Sequence, residues 1–264
     1  MKRSYTALVL AGKRDAPNPI AAFAGLSHKA LVPIWGVSML ERVVTTLRRA
    51  NHVGAIIVAI EDPRVLEAVP RLQQLVAAGE LLTMSSSPSV AGSVLRAFDL
   101  HQDCLPFLVV SADQPLLRPE IVDAFCAGVE ASSDIGLGFV PERSVRAAYP
   151  HTRRTFMRFA DGAYKNCNLY AFHTLQSARA CVFWQSIEQL RKRPWRVATA
   201  FGWRFLLVYV LRRDDLREML TRAGRILGVT ISSVIMDFAD AAVDVDTLDD
   251  LELAKQVLGA GQGS

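Results

Sequence analysis

The residues able to do chemistry fall into a few short groups. The first is Leu10-Ala11-Gly12-Lys13-Arg14, at the end of the small or apolar run Ala7–Ala11. A glycine at a strand end lets backbone N–H groups approach a ligand, and two adjacent cations neutralise an anion; a phosphate needs both. A turn glycine beside two solvated cations is the plainer reading of the same residues. Asp113 follows the apolar run Phe107–Ser111. At the carboxyl end of a buried strand a carboxylate can hold Mg²⁺, and it can equally cap the next helix. Asp244 and Asp246 alternate along a short strand, Val243–Asp246, and so share a face. Two like charges on one face repel unless a cation lies between them, so with Asp113 they form a candidate divalent-metal set. A solvated edge strand before a helix cap is the alternative.

Three polar stretches complete the inventory. Ser85–Ser93 is rich in hydroxyls, with Ser87, Gly92 and Ser93 near a helix start, where they can line a nucleotide or simply form a polar linker. Asn166 and Asn168, preceded by Lys165, can hydrogen-bond sugar or polyol hydroxyls, or belong to an Asn-rich turn. The cationic run with Arg143, Arg146, Arg153, Arg154 and Arg158 can grip the phosphate of a second substrate, or be a solvated face.

These groups need a scaffold, and the hydrophobic pattern supplies one. Strand Ala7–Ala11, a loop to Ser27, helix Met39–Ala50 capped by Ser38, and strand Ala55–Ile60 make a βαβ unit. The strands are apolar throughout, which predicts a parallel sheet covered on both faces. Further helices are expected over 64–78, 93–100 and 117–129, and further strands over 81–84, 107–111, 135–140, 169–172 and 229–238. Residues 141–166 read as irregular. Residues 174–227 read as mostly helical, broken at Pro194 and Gly202, and Thr247 caps a last helix, 248–258. The fold expected is an α/β, Rossmann-like α/β/α sandwich with a mostly parallel mixed sheet. It forms one domain over 1–264, with a helical insertion at about 175–235.

Composition bounds the rest. The 264 residues are 51% hydrophobic and 21% charged, enough for a substantial core. Thirty basic and 26 acidic side chains leave a net charge of +4, which suits an anionic small molecule better than nucleic acid. Cys104, Cys126, Cys167 and Cys181 form no C-x-x-C pair, and the five histidines lack zinc spacing, so reduced thiols, no zinc site and a cytoplasmic location are expected. No run spans a bilayer.

Four blocks in order resemble the MobA-like nucleotidyltransferases: Leu10-Ala-Gly12; Lys29-Ala-Leu-Val-Pro33 with Gly36-x-Ser-Met-Leu-Glu-Arg42-Val; Ala112-Asp113-x-Pro115-Leu; and Asp244-Val-Asp246-Thr-Leu-Asp-Asp-Leu251. They cover most of the chain outside about 175–235. The resemblance implies transfer of a nucleotidyl group from an NTP to a phosphorylated acceptor (a sugar, polyol or alcohol phosphate), with Mg²⁺, or Mn²⁺ in its place, and release of pyrophosphate. It assigns Leu10 to Lys13 with Ser87, Gly92 and Ser93 to the nucleotide. Lys29 and Arg14 become the catalytic cations, and Asp113 with Asp244 or Asp246 the metal ligands. Arg153, Arg154, Lys165, Asn166 and Asn168 face the acceptor. The chain departs from the family at Lys13, where relatives often carry a second glycine, at an insertion with two prolines before Lys29, and at His28, where a proline often stands.

Two rival readings are a metal-dependent glycosyltransferase of related fold and a non-catalytic nucleotide-binding module. Against the first, the key strand ends in Asp113-Gln-Pro, without D-x-D. Residues 175–235 concentrate Trp184, Trp195, Phe201, Trp203, Phe205 and Tyr209 with Arg191-Lys-Arg-Pro-Trp-Arg196. An added helical subdomain with an aromatic core is the plain expectation; a surface that lies on a membrane or takes a lipid-pathway substrate is the sharper one.

Overall fold

The computed structural model describes residues 4–13, 18–187 and 200–260. In chain order the elements are β1 (Tyr5–Leu10), α1 (Pro19–Phe23), β2 (Pro33–Ile34), β3 (Val37–Ser38), α2 (Met39–Arg49), β4 (Val53–Ala59), α3 (Pro70–Ala77), β5 (Leu82–Met84), α4 (Val90–His101) and β6 (Phe107–Ser111). There follow α5 (Pro119–Gly128), β7 (Ile135–Pro141), α6 (Glu142–Ala148), β8 (Met157–Phe159), β9 (Gly162–Phe172), α7 (Ala178–Ile187), α8 (Trp203–Val210), α9 (Leu216–Leu227), β10 (Ile231–Ile235) and α10 (Leu248–Ala260).

Among the described residues, the main sheet runs β10-β7-β9-β6-β1-β4-β5, with β8 added along β9. β1 pairs parallel with β4 and β6, and β10 parallel with β7; β9 is antiparallel to β6, β7 and β8. The sheet is therefore mixed and mostly parallel, as expected. Both faces of its centre are covered, which is why β1, β4 and β6 are mostly apolar along their length. Tyr5, Ala7 and Val9 of β1 face one core with α2, α3 and α5, while Leu8 faces a second core with Val94, Phe98 and Cys181. Helix α2 begins where Ser38 Oγ accepts the Glu41 N–H at 3.1 Å, and it buries the stripe Met39, Leu40, Val43, Val44 and Leu47.

The strand order places the functional edge. From β1 the chain moves outward to β4 and β5, then returns to β6 on the other side of β1. The reversal leaves a crevice beyond the carboxyl ends of β1 and β6, where open α/β sheets bind ligands. Gly12 follows one of these strands and Asp113 the other.

Several expectations need correction. Residues 141–166 are not irregular: α6, β8 and the first part of β9 lie there, and arginine content hid them. Within α6, Arg146 pairs with Glu142 at 2.6 Å, one helical turn apart. Residues 243–246 are not a strand; one backbone bond, from the Val245 N–H to the Asp113 carbonyl at 2.9 Å, replaces a ladder. The described part of 175–235 carries α7, α8 and α9 and ends in β10, which lies within the strand expected over 229–238. α7 contributes Cys181 to the second core, and β10 joins the main sheet. Pro194, Trp195 and the basic run Arg191–Arg196 lie outside the described residues, as does Arg14.

Candidate active site

The centre of the crevice is a cation between two carboxylates. Lys29 lies on a single 3-10 turn, Lys29–Leu31, in the crossover from β1 to α2. Its Nζ stands 2.5 Å from Asp113 Oδ2 and 2.8 Å from Asp246 Oδ1. Asp113 is held on its other oxygen by the Ser111 hydroxyl, which donates to Oδ1 at 2.5 Å. Burial pulls the Lys29 ammonium down, but the two carboxylates outweigh it and hold its pKa above the ordinary lysine value. Residues 84 and 217 positions from Lys29 in the chain thus meet at one atom.

Asp244 does not join them. Its carboxylate belongs to a second cluster, where Arg154 Nη1 lies 2.5 Å and Lys165 Nζ 3.3 Å from Oδ1. Arg154, with its side chain only 8% exposed, also reaches Asp250 Oδ1 at 2.6 Å, tying the segment before β8 to the start of α10. Among the described residues, no group of three or more His, Cys, Asp or Glu side chains is arranged to hold a metal ion. The three carboxylates expected to act together are divided in the structure: Asp113 and Asp246 share Lys29, and Asp244 stands apart. The reason is charge: Arg154 and Lys165 hold Asp244 elsewhere. Asp113 and Asp246 already surround a cation, the Lys29 ammonium, so their donor chemistry fits a hard divalent ion that binds through one or two carboxylates.

The expected acceptor side is partly built into the structure. Asn168 sits in β9 at φ 53°, a left-handed conformation uncommon outside glycine, beside the irregularity in β7–β9 pairing. Its Nδ2 lies 3.5 Å from Asp244 Oδ2. Tyr170 donates to Asn166 Oδ1 at 2.8 Å, and burial pushes the Tyr170 hydroxyl pKa up, so it stays a donor. Arg154 is consumed by its carboxylates, whereas Arg153 is exposed.

At the other end of the crevice, the Gly12 turn and the serine loop meet. A Cβ on Gly12 would stand 2.9 Å from Ser86 Oγ, so any larger residue would force Ser86 to move. Ser86 Oγ is buried and has no hydrogen-bond partner among the described residues. Helix α4 starts three residues earlier than expected because Ser89 Oγ accepts the Gly92 N–H at 2.9 Å. Ser93 is 4% exposed and staples the loop: its Oγ accepts the Ser87 N–H at 2.9 Å and donates to the Ser89 carbonyl at 3.1 Å. It shapes the loop from beneath, while Ser87 is half-buried. The Lys13 N–H donates to Glu61, whose other oxygen lies 3.2 Å from His28 Nε2. A carboxylate already uses an N–H of the turn expected to bind phosphate.

Sequence reasoning missed Glu61, Ser86, Ser111 and Gln114. Glu61 and Ser111 stand at the carboxyl ends of β4 and β6, so strand position was the available signal. Gln114 is 2% exposed and donates to the Cys167 carbonyl at 2.6 Å, which locks β9 to the turn after Asp113; nothing local announces it.

Comparison with known proteins identifies the architecture. A family model described as the MobA-like NTP transferase domain matches residues 21–200. The chain belongs to that family. A solved structure from Thermus thermophilus, titled a hypothetical transferase, superposes with a TM-score of 0.77 at 29% identity, covering 94% of this chain and 99% of the other. A CMP-2-keto-3-deoxy-manno-octonic acid synthetase solved with CTP shares the fold at TM-score 0.58 and 17% identity, over 98% of this chain and 99% of that one. Among curated proteins, the chain is 32% identical over 119 residues to 3-deoxy-manno-octulosonate cytidylyltransferase of Desulfosudis oleivorans, 44% of each chain. It is 36% identical over 106 residues to 2-C-methyl-D-erythritol 4-phosphate cytidylyltransferase of Frankia casuarinae, 40% of this chain and 38% of the relative. The matched region thus spans less than half the length of these curated relatives. The family and the Rossmann-like fold expected from the sequence are borne out. Among the described residues, no helix is long and apolar enough to cross a membrane.

Proposed function

We propose that the chain is a cytidylyltransferase, moving CMP from CTP onto the phosphate of a small polyol or sugar phosphate with release of pyrophosphate. The observation that carries the reading is the Lys29–Asp113–Asp246 cluster at the switch point of a nucleotidyltransferase-family sheet. Cytidine as the base rests on the names of the curated relatives. Both reactants are polyanions, so the chief task is charge neutralisation and in-line placement. An acceptor phosphate oxygen attacks the α-phosphorus; the new P–O bond forms as the bond to the β-phosphate oxygen breaks, and pyrophosphate leaves. A phosphate nucleophile is already ionised at neutral pH, so no general base is required.

The Gly12 turn receives the triphosphate once Glu61 releases the Lys13 N–H. Lys29, kept charged by its carboxylates, serves the α-phosphate. Asp113 and Asp246 are the residues that would hold Mg²⁺, which would supply positive charge to offset the charge of the departing pyrophosphate. Lys165, Arg153 and the amides of Asn166 and Asn168 meet the acceptor. The test is a pyrophosphate-release screen crossing the four NTPs with sugar, polyol and alcohol phosphates. Turnover confined to CTP and a phosphorylated acceptor supports the reading; equal turnover with purine NTPs removes the cytidine assignment.

A further inference from the structure

Apart from Arg204, helix α8 carries only apolar and aromatic residues, yet none of its residues is buried. Its inner side is fastened by aromatic contacts. Phe201, just before it, stacks on Phe205 at 4.8 Å and meets Phe183 of α7 at 4.7 Å, and Tyr209 lies edge-on to Phe159 of β8 at 5.9 Å. Its outer side is unpartnered among the described residues. Trp203, Leu207, Val210 and Leu211 recur at helical spacing along it and are 67%, 48%, 63% and 50% exposed.

Charge selects what covers this face. From Trp203 to Arg213 the chain carries Arg204, Arg212 and Arg213 and no acidic residue. Among the described residues none of the three makes a salt bridge, and Arg204 lies over the Trp203 ring at 5.4 Å. Arg212 also occupies a costly position. The helix ends in a Schellman turn, with the Arg212 N–H on the Tyr209 carbonyl at 3.1 Å and the Arg213 N–H on the Val208 carbonyl at 3.2 Å. Arg212 takes the left-handed residue of that turn, φ 49°, which glycine adopts without strain. A cation thus stands where backbone geometry favours glycine. Asp214 and Asp215 follow Arg213, but Asp214 pairs with Arg222 and Asp215 caps α9. An apolar stripe headed by a tryptophan and carrying three arginines without a salt bridge complements an anionic bilayer surface, in which apolar side chains enter the acyl boundary and cations meet lipid phosphates.

We propose that α8 and its flanking arginines form a peripheral docking surface for anionic lipid bilayers. The surface is mounted rigidly. The Asp214 carbonyl accepts the Ala160 N–H at 3.0 Å, and Asp161 accepts the Leu216 N–H at 3.2 Å, so the chain leaving α8 is fixed to the β8–β9 turn. Phe159 in turn packs on Tyr164 at 6.2 Å, one residue before Lys165 on the acceptor side of the crevice.

The experiment is co-sedimentation of the full chain with vesicles of phosphatidylglycerol and phosphatidylcholine, against phosphatidylcholine alone. Binding is expected only to the anionic vesicles, and it should vanish at about 1 M salt, where the screening length is about 3 Å. Leu207→Ser with Val210→Ser should abolish it. Arg204→Gln and Arg213→Gln should each lower partitioning about fivefold. Arg212→Gly should weaken binding while leaving the melting temperature unchanged or higher, which separates the lipid role from folding. No binding to anionic vesicles at low salt overturns the proposal. So does a concentration-dependent oligomer that the Leu207/Val210 variant converts to monomer, since the occupant would then be a second copy of the chain.

Discussion

Replacing Lys29 with methionine keeps the side chain out to Cε and removes the charged Nζ. In the structure that ammonium lies 2.5 Å from Asp113 and 2.8 Å from Asp246. Removing one partner of a fully buried pair costs about 3–5 kcal/mol. Here Lys29 and Asp113 are 19% and 15% exposed but Asp246 is 55% exposed, so solvent screens one contact. We therefore expect a loss of about 2–3 kcal/mol in unfolding free energy in metal-free buffer. The two carboxylates, left facing each other, should then bind a divalent cation more tightly than in the wild type, where Lys29 competes for them. At a hundred times the dissociation constant such binding returns about 2.7 kcal/mol. Urea unfolding with and without Mg²⁺ or Mn²⁺ measures both effects. Turnover should fall about 10²–10³-fold, as for loss of one group that stabilises transition-state charge. The pairing also sets an alkaline limit: the folded pKa of Lys29 is raised, so its contribution is complete below the unfolded value near about 10.4 and is lost as pH rises through the folded one. Lys29→Met with wild-type turnover, or without extra stabilisation by divalent ions, refutes the reasoning.

Two further predictions follow from other parts of the molecule. Gly12→Ala places a methyl group 2.9 Å from Ser86 Oγ, so the serine loop must shift; KM for the nucleotide should rise about tenfold with kcat less affected, read by steady-state pyrophosphate release. Asp134 accepts from Thr174 Oγ1 at 2.6 Å and from the Thr230 N–H at 2.8 Å. Burial raises its pKa, but these hydrogen bonds outweigh that and hold it below the usual carboxylate range. Its stabilisation is present above the unfolded value near about 3.9 and is lost as pH falls through the lower folded value. Asp134→Asn should flatten acid unfolding in that window and cost about 1–3 kcal/mol at neutral pH, measured by urea titration.

The parts of the fold written in short range were legible. Strands β1, β4 and β6 showed as apolar runs, and the Ser38 cap with its stripe announced α2. Asp113 was legible as a candidate because it follows an apolar strand, although the sequence allowed a helix cap equally. What could not be read depends on long-range pairing. Asp244 and Asp246 looked equivalent in sequence, and only the approach of Arg154 from the segment before β8 and of Lys165 from β9 separates them. Arg154 read as a phosphate ligand because the sequence does not reveal that Asp244 and Asp250 already hold it. Ser93 read as a nucleotide contact, yet its hydroxyl is turned into its own loop. Glu61 escaped notice because its partner, the Lys13 N–H, is backbone and carries no side-chain signal.

We propose that CMP transfer takes place at the carboxyl ends of β1 and β6 and depends on Asp113. The most direct measurement is mass-spectrometric identification of products from CTP and a polyol phosphate, with wild type and Asp113→Asn side by side. The account predicts a CDP-linked polyol and equimolar pyrophosphate from the wild type, and a loss of about 10²-fold or more in Asp113→Asn. Free CDP as the nucleotide product, or an Asp113→Asn enzyme as fast as the wild type, would contradict it.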